Sequence, residues 1–420
     1  MPVKLHMLLG VIMDQMLNWH KQCNKALAKG QKWAGQLNRL ARMSFGTSVE
    51  TARCLYLSIA VPHFMYAANV WFTPVTQGPS GRRSGSAGFA DRLAQIQSMV
   101  ARAILGAMSS TPVTAMDAHL DLLPMHILMN ETCQRAAIHL AATPTNHLLH
   151  KAVIKCTVGR KKHQPPLQCI LQFAGVKPTD FEQWPFGKKP LPSIPPEAFQ
   201  DRHKAAASTW ADKSHLLVFS DASVSRAGVV VAAVLWSDGG RELWAGIKLD
   251  EHNHISSLDA EVVGVLLAMH LVSLVQDDTV VDDATIYSDL QAAILCINHH
   301  VEGASCNLLR ATCKDLRKAR KGSGGTTIWL KWCPGHMGVP GNEEVDTKAH
   351  RVALGHVHPQ HLIPQYLVNF HPATNPTTCK QIMKTDNKSL VEAHWASSSA
   401  GAKHTEKYPN LAPQHFLAHT

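Results

Sequence analysis

The 420-residue chain has no apolar run that reaches the about 18 to 20 residues of a membrane span. Its longest candidate, V-V-G-V-L-L-A-M-H-L-V-S-L-V over 262–275, is too short and directly follows Glu261. The N-terminal L-H-M-L-L-G-V-I-M lacks a basic leading region and a clear cleavage site, so no signal peptide is read. None of the ten cysteines belongs to a C-x-x-C pair. That argues against a zinc ribbon and a secreted disulfide scaffold, and for reduced thiols. The expectation is an intracellular protein, cytoplasmic or nuclear, without a membrane partner.

What is present in excess is positive charge, 41 Lys and Arg against 31 Asp and Glu, and it is unevenly placed. Residues 1–212 hold 23 basic and 11 acidic residues, residues 213–354 hold 13 and 17, and residues 355–420 hold 5 and 3. A basic first half beside an acidic second half suits polyanion binding coupled to a metal site. It equally suits a merely basic soluble protein.

Along the chain, apolar residues recur at helical spacing in L-N-R-L-A-R-M and A-R-C-L-Y-L-S-I-A-V, so residues 1–150 read as mostly helical. Two helical blocks flank the loop P-V-T-Q-G-P-S-G-R-R-S-G-S-A-G (74–88), and the second ends at Gly106, a C-cap residue. Prolines crowd residues 151–212, which reads as a linker. From 213 to 354 the pattern turns to strands and helices in the order βββαβααβα, with S-D-G-G as a hairpin turn. This predicts an α/β mixed sheet with flanking helices. Residues 355–420 are His- and Pro-rich and read as a poorly ordered tail.

Four acids fall at informative places on that map. Asp221 and Asp289 end predicted strands, Glu261 interrupts a nearly all-apolar helix, and Asp346 lies in the first turn of the last helix, with Asn342 as its N-cap. A lone Asp at a strand end is usually a turn residue. A carboxylate inside an apolar helix is costly unless something partners it. Clustered carboxylates repel one another, and hard divalent cations relieve that repulsion through oxygen ligands.

F-S-D-A-S, D-A-E-V-V-G-V-L-L-A, I-Y-S-D-L-Q-A-A and W-C-P-G-H-M-G-V-P-G-N-E-E-V-D-T-K-A resemble, in order, the four motifs of a type-1 ribonuclease H domain, with 40, 28 and 57 residues between the acids. The resemblance covers about 214–354. It implies a ribonuclease H-like fold and a D-E-D-D cluster of metal-binding catalytic acids, Asp221, Glu261, Asp289 and Asp346. It also implies two Mg²⁺ ions, with Mn²⁺ as an alternative, and His336 as a catalytic loop histidine assisting proton transfer or product departure. The implied activity is endonucleolytic hydrolysis of the RNA strand of an RNA–DNA hybrid by a two-metal mechanism. By motif position, Ser223, Gln291 and Asn342 are expected to touch the hybrid. Two residues depart from the family pattern: Ala222 stands where Gly is usual, and Leu290 where a small polar residue is usual.

A basic helical stripe of Arg310, Lys314, Arg317, Lys318 and Lys321 is either a further nucleic-acid contact or a solvated face. Segments within 8–145, among them L-A-Q-I-Q-S-M-V-A-R-A-I-L-G-A, resemble the thumb and connection regions of non-LTR retrotransposon reverse transcriptases, and L-V-E-A-H-W-A-S-S-S-A-G resembles sequence following the ribonuclease H domain in fungal elements. No Y-x-D-D motif occurs, so no DNA polymerase activity is expected. The chain reads as a piece of a retrotransposon polyprotein. The competing reading is a catalytically silent, nucleic-acid-binding relic of such an element. An integrase-type site would order its acids Asp, Asp, Glu, whereas the second acid here is Glu261. No small-molecule cofactor is expected, and sequence says nothing of oligomeric state.

Overall fold

The computed structural model describes residues 5–41, 46–157, 164–181, 201–225, 228–240, 242–250, 255–278, 280–299, 326–356, 359–364, 367 and 374–407. The chain divides into two compact units, one of 1–143, 147–178 and 380–420, the other of 144–146 and 179–379.

The first unit is built mainly of helices. A hairpin of Leu5–Leu8 and Val11–Asp14 precedes the helix His20–Leu40, which buries Cys23, Ala26, Leu27, Gly30, Ala34 and Leu37 at three- and four-residue spacing. The helix Val49–Leu55 starts at Ser48, whose hydroxyl accepts from the Thr51 N–H. The helix Ala87–Leu105 ends at Gly106 in the left-handed conformation expected of a C-cap. Tyr56, Phe64, Trp71, Phe72, Leu93, Met116 and Met129 fill the core. One polar chain runs through it. The Tyr56 hydroxyl donates to Gln97 (3.2 Å), and the Gln97 amide donates to Asp117 (3.0 Å). Burial pushes the Asp117 carboxyl up to about 7 against the lowering effect of Gln97. The Gly/Ser-rich loop is pinned at its base, where the Asn130 amide accepts from Val75 N–H (2.8 Å) and donates to Val75 C=O (2.9 Å).

The second unit holds a five-stranded mixed sheet. Its elements are helix α1 (Arg202–Trp210), strands β1 (Leu216–Ser225), β2 (Gly228–Ser237) and β3 (Glu242–Asp250), helix α2 (Ser257–Asp278), strand β4 (Asp283–Ser288), helix α3 (Gln291–His299), strand β5 (Thr327–Trp332) and helix α4 (Pro340–Ala353). The strand order is β3-β2-β1-β4-β5, with β1–β2 and β2–β3 antiparallel and β1–β4 and β4–β5 parallel. Successive residues of β2 divide between two cores. Val229, Val231, Ala233 and Leu235 join Leu216 and Val218 against α2 and α3, while Val230, Ala232 and Val234 join Phe219 against α4 and Ala206 of α1. Coverage on both faces explains why β2 is apolar almost throughout rather than alternating. Gly341 fixes α4 on this surface: a Cβ there would lie 2.2 Å from the Phe219 ring.

Several boundaries differ from the sequence reading. By length and composition, Ser257–Gln276 within α2 is long and apolar enough to cross a membrane, beyond the 14 residues read from sequence, yet 78% of the relevant window is buried in the unit. It is a core helix. The stretch read as a linker contains helices His150–Thr157, Pro166–Ala174 and α1. Pro166 opens its helix from the first turn, where a missing N–H costs no hydrogen bond. The stretch read as a poorly ordered tail carries the helices Pro376–Ala396 and Ser399–Lys407. The first of these has few apolar residues and is held partly by polar contacts such as Asn387 to Glu131 (3.4 Å), which weakened its periodic signal. The helix α4 starts two residues before Asn342, after Val339, because Pro340 occupies its first position. Asn342 is therefore not its N-cap, and Asp346 lies in the second turn rather than the first.

Candidate active site

Parallel pairing of β1 with β4 ends at Ser220 and Ser288. The next residue along the chain after each is an acid, Asp221 within β1 and Asp289 just past the end of β4, so register sets the two side by side. Asp221 is not at a strand end, because β1 continues to Ser225 against β2. It sits where β1 loses one neighbour and the sheet opens. Into that opening α2 brings Glu261. One of its carboxylate oxygens accepts from Ala222 N–H (3.1 Å) and the other from the Ser288 hydroxyl (3.3 Å). Ser288 Oγ in turn accepts from Leu290 N–H (3.3 Å). Glu261 thus spans the gap between the two strands just beyond their last shared pair.

One side-chain oxygen from each of Asp221, Glu261 and Asp289 lies within 4.8 Å of the other two. At an effective dielectric constant of about 20, two unit charges about 5 Å apart repel by roughly 3 kcal/mol. Among the described residues no lysine or arginine forms an ion pair with any of the three. Burial, then the charges of Asp289 and Asp346, push the Asp221 carboxyl up to about 7. Burial, then Asp221 and Asp289, hold Glu261 well above the usual carboxylate range. Asp289 is also raised, chiefly by burial, with the neighbouring His336 acting in the opposite direction. Three hard oxygen donors, crowded, half-buried to buried and with no lysine or arginine ion pair among the described residues, form a donor set that fits a divalent cation such as Mg²⁺.

Asp346 stands outside this group of three, on the exposed side of α4, close enough for its charge to raise Asp221 and Asp289. His336 lies in the loop joining β5 to α4, exposed and in the left-handed region at φ +57°. The loop is rooted by Cys333, whose N–H donates to Ser288 C=O (3.1 Å), and by Trp332, whose indole N–H donates to Asp289 C=O (2.9 Å). Gly335 passes so close to the site that a Cβ there would be 3.0 Å from Asp289 Oδ2. The Arg202 guanidinium of α1 donates to the Gly335 carbonyl (2.9 Å).

Of the other expected contacts, Ser223 lies half-buried on β1 beyond Asp221, Gln291 half-buried at the start of α3, and Asn342 buried in the first turn of α4. Arg310, Lys314, Arg317, Lys318 and Lys321 fall outside the described residues. Neither departure from the expected pattern removes one of the acids. Ala222 acts through its backbone N–H, and Leu290 packs against the α2 core. Ser288, Trp332 and Arg202 were missed by sequence reasoning. Ser288 stands beside a motif acid in I-Y-S-D, but Arg202, 133 residues from Gly335, left no local signal.

Fold and site together define a mixed α/β unit with an acidic, metal-competent centre at the point where its parallel strands part. No protein-family model and no curated protein matches the chain. Among solved structures it is similar to RNase H1 from the halophilic archaeon Halobacterium salinarum NRC-1, with 18% identity, a TM-score of 0.26, and coverage of 33% of this chain and 96% of that one. It is also similar to the N-terminal RNase H domain of rv2228c from Mycobacterium tuberculosis, a fusion with maltose-binding protein, with 14% identity, a TM-score of 0.26, and coverage of 34% and 97%.

Proposed function

We propose that the second unit is a ribonuclease H that cleaves the RNA strand of RNA–DNA hybrids endonucleolytically. The observation that carries this reading is the convergence of Asp221, Glu261 and Asp289 on one point with no lysine or arginine ion pair among the described residues, in the order and spacing of the motifs that contain them. Asp221, Glu261, Asp289 and Asp346 are the residues that would hold two Mg²⁺ ions, or Mn²⁺ in their place. When bound, such ions supply an activated water for in-line attack and charge stabilisation at the departing 3′ oxygen. Ser288 and the Ala222 N–H hold Glu261 so that both its oxygens keep their aim. His336, on its exposed loop beside the acids, gives or takes the proton at the departing group. Hybrid recognition follows backbone shape and the 2′-hydroxyls rather than base sequence, with Ser223, Gln291, Asn342 and the basic stripe at 310–321 as contacts.

The wider context is part of the same proposal. The chain derives from a retrotransposon polyprotein, acts inside the cell, and couples the nuclease to a basic helical region that grips nucleic acid.

The test is cleavage of an end-labelled RNA–DNA hybrid in Mg²⁺ or Mn²⁺, with matched RNA–RNA and DNA–DNA duplexes. The expected result is internal cutting of the hybrid's RNA strand alone, abolished by EDTA and by Asp289→Asn. Hybrid binding without cutting, by protein whose unfolding is cooperative, would refute the enzyme and leave the silent relic.

A further inference from the structure

We infer that Arg202 is a positioning residue that holds the His336 loop against the carboxylates, an inference that rests on the nuclease reading of the site. The loop from Pro334 to Gly338 runs between two buried residues, Cys333 and Val339. Within it Gly335 and Met337 are half-buried, while His336 and Gly338 are exposed. His336 and Gly338 both lie at positive φ. Such a backbone needs something to hold it in place. Among the described residues a single side-chain hydrogen bond reaches the backbone of this loop, the one from Arg202 to the Gly335 carbonyl. Gly335 immediately precedes His336, two residues past the root of the loop at Cys333, and its own backbone lies against Asp289. A force on that one carbonyl therefore sets both the height of His336 and the distance between loop and acid.

The anchor behind Arg202 is firm. It occupies the first position of α1, and the Asp201 side chain caps that helix by accepting from His203 N–H (2.9 Å). Ala206 of α1 packs into the core with Phe219 and Val339. Thr209, buried, lies beside the Tyr287 hydroxyl and the Cys333 thiol, and Cys333 is the residue from which the loop departs. Helix and loop root thus share one set of contacts, and Arg202 spans them at the exposed end. The helix precedes the first strand of the sheet in the chain, so it acts as a strap brought to the site from outside the strand–helix repeat.

The chemistry distinguishes this role from a substrate contact. A guanidinium held by a carbonyl at 2.9 Å directs that N–H at the protein and away from a phosphate. Arg202→Ala should therefore lower kcat by about five- to tenfold, the loss expected from a solvated charge-assisted hydrogen bond, with KM nearly unchanged. Arg202→Lys, which keeps one donor of the same charge, should recover part of it. In a His336→Ala background, Arg202→Ala should cost nothing further, because it acts through that loop.

The experiment is this double-mutant cycle on the full chain, combined with amide hydrogen exchange of the peptide spanning the loop. Faster exchange at 335–338 in Arg202→Ala, with β1 and β4 peptides unchanged, is the expected result. Unchanged loop exchange, an equal kcat loss in both backgrounds, or an effect confined to KM would overturn the inference. A wild-type chain that cuts no hybrid would sink the nuclease reading, and the exchange result would still decide whether Arg202 holds the loop.

Discussion

Replacing Asp221 with Asn should stabilise the metal-free protein, and the gain should depend on pH in a defined direction. The Asp221 carboxyl stands at about 7 in the folded chain, raised by burial and by Asp289 and Asp346 from the ordinary value of 3.8. The folded state therefore holds a proton that the unfolded chain releases between about pH 4 and 7. Stability falls as pH rises through that window and then levels off. At about 1.4 kcal/mol per pH unit, the full penalty at pH 8 is roughly 4 kcal/mol. An Asn side chain carries none of it but must bury an amide, so a net gain of about 2 to 4 kcal/mol at pH 8 is expected. The gain should shrink to well under about 1 kcal/mol near pH 4 and disappear below about pH 3, where the acid is neutral in both states. The assay is urea denaturation in EDTA at pH 4, 6 and 8, read by hydrogen-exchange protection of the β1 and β4 peptides, so that the other unit does not contribute. A variant no more stable than wild type at pH 8, or a gain independent of pH, would show that the three acids do not crowd one another as the geometry requires.

Other changes test neighbouring parts of the same reasoning. Mg²⁺ at about ten times its dissociation constant should stabilise the wild-type second unit by roughly 1.4 kcal/mol and Glu261→Gln by much less, measured by the same denaturation with and without the ion. Gly341→Ala would set a Cβ against Phe219, where only 2.2 Å is free, and should cost about 1 to 3 kcal/mol of stability; an unchanged urea midpoint would contradict that packing. Asp212 is raised by desolvation but lowered more by hydrogen bonds from Ser214 and Tyr287 and by Lys331, to a net of about 2. Its contribution should therefore be complete above about pH 4 and lost as pH falls towards 2, so the stability gap between wild type and Asp212→Asn should close over that range.

Much of the second unit was legible because its signals are local. The strand-length apolar runs and turn chemistry of residues 216–250 give a three-stranded meander without reference to anything distant. Glu261 was conspicuous because a carboxylate has no ordinary place among buried valines and leucines. Gly106 as a C-cap follows from the missing Cβ alone. The misreadings arose where local composition and tertiary contact disagree. Proline density suggested a linker, yet Pro166 opens a helix, and α1 gains its stability from the sheet. The helix Pro376–Ala396 shows little apolar period because polar contacts share in holding it.

The sequence by itself determined which acids could matter and in what order they come, since spacing along the chain survives without coordinates. It also determined the strand–helix alternation that brings strand ends together. Only the tertiary structure decided that Asp221, Glu261 and Asp289 share a space within 4.8 Å while Asp346 stands outside it. That distinction depends on where parallel pairing stops and on where α4 begins, and both are set by packing between distant segments. The grip of Arg202 on Gly335 belongs to the same class. A hydrogen bond between residues 133 positions apart exists only once the sheet and α1 are packed.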